Sequence, residues 1–351
     1  MKRIYAFIKL RSPLHIAAPD NLRFNPDNGE SSHGVKGGMA CTAVQRLPVL
    51  GANGKTFAMP VIAANNIAGR LRRHGAAIIL DALRAKGQKV SLPTYSILQC
   101  GAATGKPDGK PITYGDYKKT REHPYLGLFG GGPKMLRRGF RVHNSLPVTT
   151  ETSELLGSLA HPAAWEHLQD GVWFTKVWGF RRNDDLRMLA GIAQAESSIK
   201  DFTEEFEKRQ ALIIEESSKE REEGGSKAST FTYSAVEFVV PGVVFGFTAE
   251  LDVDPAQTGL FLESMDRFAA LERLGGHSRN GFGAFTFEDV RMIDDEGREY
   301  DGIFHDGRLN RGNPLVQGIL EIWKRAEARL DAGELESLVP LPTETKKAKV
   351  A

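Results

Sequence analysis

The sequence predicts an α+β fold: a modified ferredoxin-like (RRM-like) core with long insertions. The order of periodic segments points to it, running strand, helix, strands, then strand, helix, glycine-rich loop, strand. The composition agrees, with 41% hydrophobic and 26% charged residues, as in ordinary globular proteins. At 351 residues the chain can bury a substantial core, as one elaborated domain or two smaller ones.

Residues 3–11 read as a strand, with Ile4, Ala6, Ile8 and Leu10 alternating with Tyr5, Phe7 and Lys9. Residues 16–58 are rich in Gly, Asn, Asp and Pro and read as one long irregular connection. A helix is expected from about Ala63, stopping at Gly87, with Ile67, Leu71, Gly75, Ile78 and Ala82 toward the core. Asn66, Arg70 and Arg73 share a neighbouring face of it. From Gly101 to Pro133 the chain reads as loop and carries the basic run "DYKKTR". "GFRVHNSL", within 127–148, and "VWFTKVWGFRR", near 172–182, read as strands. Residues 185–223 are helical in pattern, turn acidic and end in "EGGSKAS", as an insertion would. "VEFVVPGVVFGFTAELDV" (236–253) gives two strands parted by Pro241-Gly242, the second alternating through Val243, Phe245, Phe247, Ala249 and Leu251. An amphipathic helix over 259–274 turns Phe261, Met265, Phe268 and Leu271 inward. The loop "GGHSRNGFGAF" (275–285) follows, then a strand, a last helix at about 314–332 and a polar tail, 340–351, expected to be flexible.

No run of about 18 apolar residues is present, so no membrane partner is expected, and "MKRIYAFIKLRS" is too charged for a secretory signal. Two cysteines, Cys41 and Cys100, support neither a disulfide framework nor a zinc cluster, so a reducing cytoplasm is the expected location. The net charge of +2 conceals an asymmetry: residues 1–150 hold 23 Lys+Arg against 7 Asp+Glu, and the remainder 23 against 37. Such a split suits a polyanion on the first half and head-to-tail contact between copies; both charge sets being merely solvated is the alternative.

Three segments are candidate anion sites. In "GGHSRNGFGAF", Gly275, Gly276, Gly281 and Gly283 permit positive φ and close backbone approach, successive N–H groups can form a nest, and Arg279 adds a charged fork. His277, Ser278 and Asn280 complete its polar set. An ordinary glycine-rich turn fits the loop equally well when it is taken alone. "AANNIAGRLRR" places Asn65 and Asn66 at a helix N-terminus, with Arg70, Arg72 and Arg73 behind them, against a merely solvated basic helix. In "GGGPKMLRRGFR", Lys134, Arg137, Arg138 and Arg141 can track a nucleic-acid backbone, while Phe140 reads better as core than as a base-stacking ring. Lys176, Arg181 and Arg182 add charge to the strand near 172–182.

Other motifs fail. "GANGKT" (51–56) ends like a phosphate loop, but Val49 stands where its first glycine belongs. The nine histidines and two cysteines show no metal-ligand spacing, so neither metal nor cofactor is expected. His15 and His277 could serve as general acid and base in RNA cleavage, although a histidine in such a loop is more often a hydrogen-bond donor.

Several blocks, in order, resemble the RAMP superfamily of CRISPR proteins: "SPLHIA", "GVKGGMACTAVQRLPV", "FAMPVIAANNIAGRLRR", "LFGGGPKMLRRGFRVHNSLP", "FVVPGVVFGFTAEL" and "LERLGGHSRNGFGAFTF", spanning roughly 3–293. The block order and the long segment between Trp173 and Val236 resemble the backbone subunit that polymerises along CRISPR RNA. The acidic insert and the "IAANNIAGRLRR" block look most like its type IV form. The resemblance implies a single decorated domain over 1–351, with 172–236 as a thumb-like segment. It also implies RNA binding by His15 and by the basic, asparagine and loop residues named above. In RNA-cleaving type III relatives a Gly-Gly-x-Asp stretch supplies a catalytic aspartate. Here "GGMACT" offers Met39, Ala40 and Cys41, and no carboxylate lies between Glu30 and Asp81, so binding without cleavage is expected. The partners so implied are CRISPR guide RNA, further copies, other effector subunits, and target nucleic acid, DNA favoured. The rivals are a RAMP endoribonuclease using His15 or His277, and a generic RNA-binding scaffold.

Overall fold

The computed structural model describes residues 1–24, 31–32, 39–51, 54–101, 113–131, 136–152, 155, 174–183, 201, 203–204, 207–208, 211, 231–271 and 273–339. The architecture is mixed α+β. Its strands are β1 (Lys2–Leu10), β2 (Ala17–Phe24), β3 (Ser31–Ser32), β4 (Met39–Val44), β5 (Arg46–Leu50), β6 (Thr56–Pro60), β7 (Phe140–Val142), β8 (Thr175–Asn183), β9 (Phe231–Val239), β10 (Val244–Leu251), β11 (Phe285–Ile293), β12 (Glu299–Tyr300), β13 (Phe304–His305) and β14 (Arg308–Leu309). Its helices are α1 (Ala64–Ala85), α2 (Leu92–Cys100), α3 (Tyr114–Glu122), α4 (Pro124–Phe129), α5 (Pro255–Leu271), α6 (Pro314–Ala328) and α7 (Ala332–Leu338). Among the described residues no helix is long and apolar enough to cross a membrane.

The chain divides into two compact units: Met1–Ala17 with Val44–Thr175 and Val239–Ala351, and Ala18–Ala43 with Lys176–Phe238. The first unit is built on a sheet ordered β12-β11-β1-β10-β7, antiparallel at each pairing. Strand β1 lies at its centre, in register from Lys2↔Leu251 to Lys9↔Val244 on one side and from Arg3↔Ile293 to Leu10↔Phe285 on the other. The alternating apolar residues of β1, β10 and β11 form one core with α1, α5 and α6, joining Ile4, Ile8, Phe245, Phe247 and Phe287 to Leu71, Phe261, Met265 and Trp323. Each such side chain contributes about 1.5–3 kcal/mol of burial. The second unit holds a sheet ordered β3-β2-β4-β9-β8, in which β4 and β9 run parallel through Cys41↔Ala235.

Five expectations are corrected. Residues 16–58 contain the strands β2 to β6, their turn-forming residues lying between short extended runs. Residues 101–133 contain α3, capped by the Thr113 side chain, and α4, whose Tyr125–Phe129 are buried and so show no amphipathic period. In α1 the buried stripe continues to Ile79 and Leu83, leaving Ile78 and Ala82 half-buried, because a 3.6-residue turn drifts from strict 3–4 spacing. Leu271 in α5 is 70% exposed at the helix end, and the last helical stretch breaks at 329–331 into α6 and α7. The 185–223 insertion, apart from six residues, and the tail lie outside the described residues.

Two buried polar groups pin this frame. Asp266 of α5 accepts from Arg308 Nε and Nη2 at 2.7 and 2.9 Å and from the Leu309 amide at 2.9 Å, tying the β13–β14 hairpin to the helix. Burial alone would raise its carboxyl, but these bonds outweigh it and hold the group below its ordinary value. His123 caps α4, its Nδ1 accepting from the amides of Tyr125 and Leu126 at 3.2 and 3.3 Å. That role needs an unprotonated ring, and burial pushes its pKa down to about 4 from 6.5.

The unfolded chain protonates His123 near its ordinary value, and the native chain only near 4. The stability linked to this ring is therefore highest above about pH 6.5 and falls toward pH 4 by roughly 3 kcal/mol in all, as the unfolded chain takes up a proton that the buried ring refuses. His123→Ala should cost about 1 kcal/mol at pH 7.5 and flatten that part of the curve, read as urea midpoints from pH 7.5 to 4 in parallel with the unsubstituted chain. Asp266→Ala should cost about 1–3 kcal/mol in the same assay at neutral pH, since Arg308 and the Leu309 amide lose their acceptor.

Candidate nucleic-acid interface

At the C-terminal end of β1 the chain forms a strap, Arg11 to Ile16, that zips onto the glycine-rich loop. Ala284 accepts from the amides of Arg11 and Ser12 and donates to Ser12 Oγ at 2.8 Å. Gly283 N donates to Pro13 O at 2.7 Å, and Gly276 N to His15 O at 2.8 Å. The Leu274 amide closes the loop's base on Gly283 O at 2.9 Å, with Leu274 and Phe282 fully buried. At Gly275, φ is +68° and a Cβ would stand 2.1 Å from His15 O; at Gly283, φ is +82° and a Cβ would stand 1.9 Å from Leu274 O. Only glycine fits either contact.

The amides of Gly276, Asn280, Gly281, Phe282 and Gly283 each find a carbonyl and close the loop into a tight turn, while those of His277, Ser278 and Arg279 at its tip meet no backbone acceptor among the described residues. His277 takes φ +56°, Ser278–Asn280 form one 3-10 turn, and the residues from Gly276 to Asn280 are exposed. The His277 ring stands edge-on to His15, with centroids 5.0 Å apart, and leans on Phe282. His15 itself is 2% exposed and props the loop from beneath.

Helix α1 reaches the same place. Arg70 Nη2 donates to Gly275 O at 2.9 Å while its Nε donates to Asn66 Oδ1 at 3.2 Å. Ala64 N, in the helix's first turn, donates to Asn144 Oδ1 at 2.9 Å, and no acidic residue occupies that turn. Asn65 and Arg73 are exposed on this helix. The structure therefore joins His15, Asn66, Arg70 and Gly275–Asn280 into one assembly. Arg72 points the other way, donating to Gly130 O at 3.0 Å and to Phe129 O, and locks the C-terminus of α4.

Arg137, Arg138 and Arg141 lie at the opposite end of the sheet, where β7 pairs Arg141↔Glu250 and Phe140↔Leu251 beside the start of β1. They line a cleft of about 190 Å³ with Tyr117 and Arg121. Phe140 is core, edge-on to Phe129 and Phe261. Burial, and then the nearby charge of Arg72, hold the Arg138 guanidinium below its ordinary value. Lys134 lies outside the described residues. Lys176 is exposed on β8 in the second unit, and Arg181 and Arg182 continue that strand.

Sequence reasoning missed Arg11, Asn144, Arg121 and Tyr117. Arg11 stands one residue past β1, bound to Thr286 and Glu288, and "DYKKTR" shows in the sequence only as a basic run. Cys41, in the "GGMACT" stretch, is buried against Ala43 and Ala235, and burial, then Glu237, pushes its thiol up to about 11, which makes it inert. Among the described residues, no three His, Cys, Asp or Glu side chains are grouped to hold a metal ion.

No protein-family model and no curated protein matches this sequence. Among solved structures the chain is similar to one from a "Type IV-B CRISPR Complex", with 17% identity and a TM-score of 0.48, covering 82% of this chain and 90% of that one. It is also similar to one from a "Cryo-EM structure of the Type III-B Cmr-beta bound to cognate target RNA", with 10% identity and a TM-score of 0.37, covering 84% of this chain and 61% of that one. At these TM-scores the superpositions fix no residue correspondence.

Gly275→Ala and Gly283→Ala should each cost about 2 kcal/mol or more in thermal unfolding, since both positive φ and a backbone carbonyl oppose a Cβ. Gly281→Ala, at φ +83° with open space around it, should cost only about 1 kcal/mol.

Proposed function

We propose that the chain is a non-catalytic RNA-binding subunit of a class 1 CRISPR effector complex, of the RAMP backbone kind. It would hold guide RNA by its phosphates and leave the bases free to pair with target nucleic acid, DNA by preference. The observation that carries this reading is the bond from Arg70 to the Gly275 carbonyl, which joins the basic face of α1 to a loop whose exposed tip bears His277, Ser278, Arg279 and Asn280. Cations and neutral donors fixed on rigid elements suit a phosphate backbone and its 2′-hydroxyls, and carry no base code. The core is read as ferredoxin-like, supported by the succession β1, α1, β7, β10, α5, β11 and its spatial order β11-β1-β10-β7.

Binding is favoured over cleavage. An acid–base pair of His15 and His277 would need both rings at the scissile phosphate, yet His15 is 2% exposed and, of the two, His277 alone reaches the surface. The opposed charges of the two chain halves suit a head-to-tail interface between copies, which is heterologous and propagates along a filament.

For single-stranded RNA, log K should fall with log[salt] at a slope of about −0.7 per phosphate neutralised. Arg279→Ala should lower that slope by about 0.7, measured by fluorescence anisotropy, without altering the melting temperature. Sequencing of co-purified RNA should return molecules with a uniform repeat-derived end in particles of several copies; RNA-free single chains would refute the reading.

A further inference from the structure

The arginines of "LRRGFR" do not belong to the loop assembly. Strand β1, with nine residues, separates them by roughly 27 Å from the strap and Gly275–Asn280. Their cleft has a different chemistry. Arg121 is spent on structure, its guanidinium donating to the carbonyls of Gly127, Arg137 and Asp252. Arg141 faces Glu250 at 3.7 Å. Arg138 lies over the Phe140 ring, 5.4 Å from its centroid, and neither it nor Arg137 has a carboxylate partner among the described residues. Tyr117, 43% exposed, stands on the rim.

We propose that this cleft is a second nucleic-acid site, taking one nucleotide of a single strand with its phosphate on Arg137 and Arg138 and its base against Tyr117. Guanidinium forks match phosphate oxygens, and an exposed aromatic ring beside them is the platform on which single strands stack. The acids in the cleft decide between a nucleotide and an acidic peptide. Glu250 and Asp252 oppose any anion, so the preference comes from what they accept: sugar hydroxyls and base amino groups, which acidic side chains lack. A nucleotide presents acceptors and donors together, as the cleft does; a run of Asp and Glu presents acceptors alone. The volume, about 190 Å³, suits one phosphate with its sugar rather than a duplex. This site is independent of the guide-binding reading, because it shares no side chain with the loop.

The test is photo-crosslinking of the full chain to single-stranded RNA and to single-stranded DNA carrying a thio-substituted base, with the crosslinked peptides mapped. The unsubstituted chain should give crosslinks at Tyr117 with at least one of the two strands. Arg137→Gln/Arg138→Gln should abolish these and lower the salt slope of binding by about 0.7 for RNA, the share of the one phosphate held here, leaving loop crosslinks in place. Arg137→Gln alone, which leaves Arg138 on Phe140, should weaken the Tyr117 crosslinks and lower the slope by a smaller amount, and guards against a folding defect in the double variant. Tyr117→Ala should weaken binding on the order of tenfold. Absence of Tyr117 crosslinks with both strands, their persistence in the double variant, or their displacement by poly-glutamate at matched charge would overturn the proposal. Loss of loop crosslinks with Tyr117 crosslinks retained would instead count against the guide-binding reading and leave this one standing.

Discussion

The charged end of the first unit rests on two contacts between glycine and backbone. The His15 and Leu274 carbonyls lie where the Cβ atoms of Gly275 and Gly283 would be. Because nothing bulkier fits, the strap and the loop approach closely enough to exchange amide bonds, and the loop's interior is closed before any ligand arrives. Closure leaves the tip facing outward, with its side chains and the amides of His277, Ser278 and Arg279. It also explains why Arg70 can do more than carry charge: its guanidinium is held by Asn66 and Gly275, so helix and loop are one rigid body at the surface. Ordering has already been met by folding, which favours binding a flexible polymer.

The basic residues divide by what their guanidinium groups already hold. Arg72 and Arg121 are bound to backbone carbonyls, which satisfies their donors without neutralising their charge. Each stabilises the turn it caps while leaving a positive potential behind. Arg138 sits half-buried near Arg72, and two like charges so placed are a strain that an anion relieves. Arg11 and Arg141, by contrast, face Glu288 and Glu250 and are largely quenched. A bare count of arginines therefore overstates how many are open to a ligand.

What was legible in the sequence follows the range of the interactions concerned. Helix α1 was readable because its buried residues repeat every three to four positions over 22 residues, and β10 because it alternates beside a Pro-Gly turn. Helix α4 was not, since a six-residue helix buried all round has no polar face to mark its period. The strands between 17 and 60 were hidden by their brevity and by the turn residues between them. Along α1, successive residues turn by about 100°, so Arg70, Arg72 and Arg73 had to face different surroundings, but which faced inward depended on Phe129 and Gly130, far off in sequence. The contact of His15 with Gly276 joins segments some 260 residues apart and leaves no local pattern.

The two arginine-bearing ends of the sheet are joined by β1, which is paired on both sides and has Ile4, Ile8 and Leu10 in the core. Such a strand cannot stretch or slide without breaking both ladders, so the spacing between the ends is fixed by the fold. Neither end sets its donors and acceptors in the fixed bidentate pattern that tells one base from another, the acids of the far cleft accepting from any amino or hydroxyl group. The loop tip presents donors suited to phosphates, and the far cleft mixes two open guanidinium groups with two acids. A surface of this kind measures distance along a polymer and its charge, not its sequence. On the proposed reading, sequence choice would come from base pairing between bound strands, with the polypeptide supplying spacing and counter-charge.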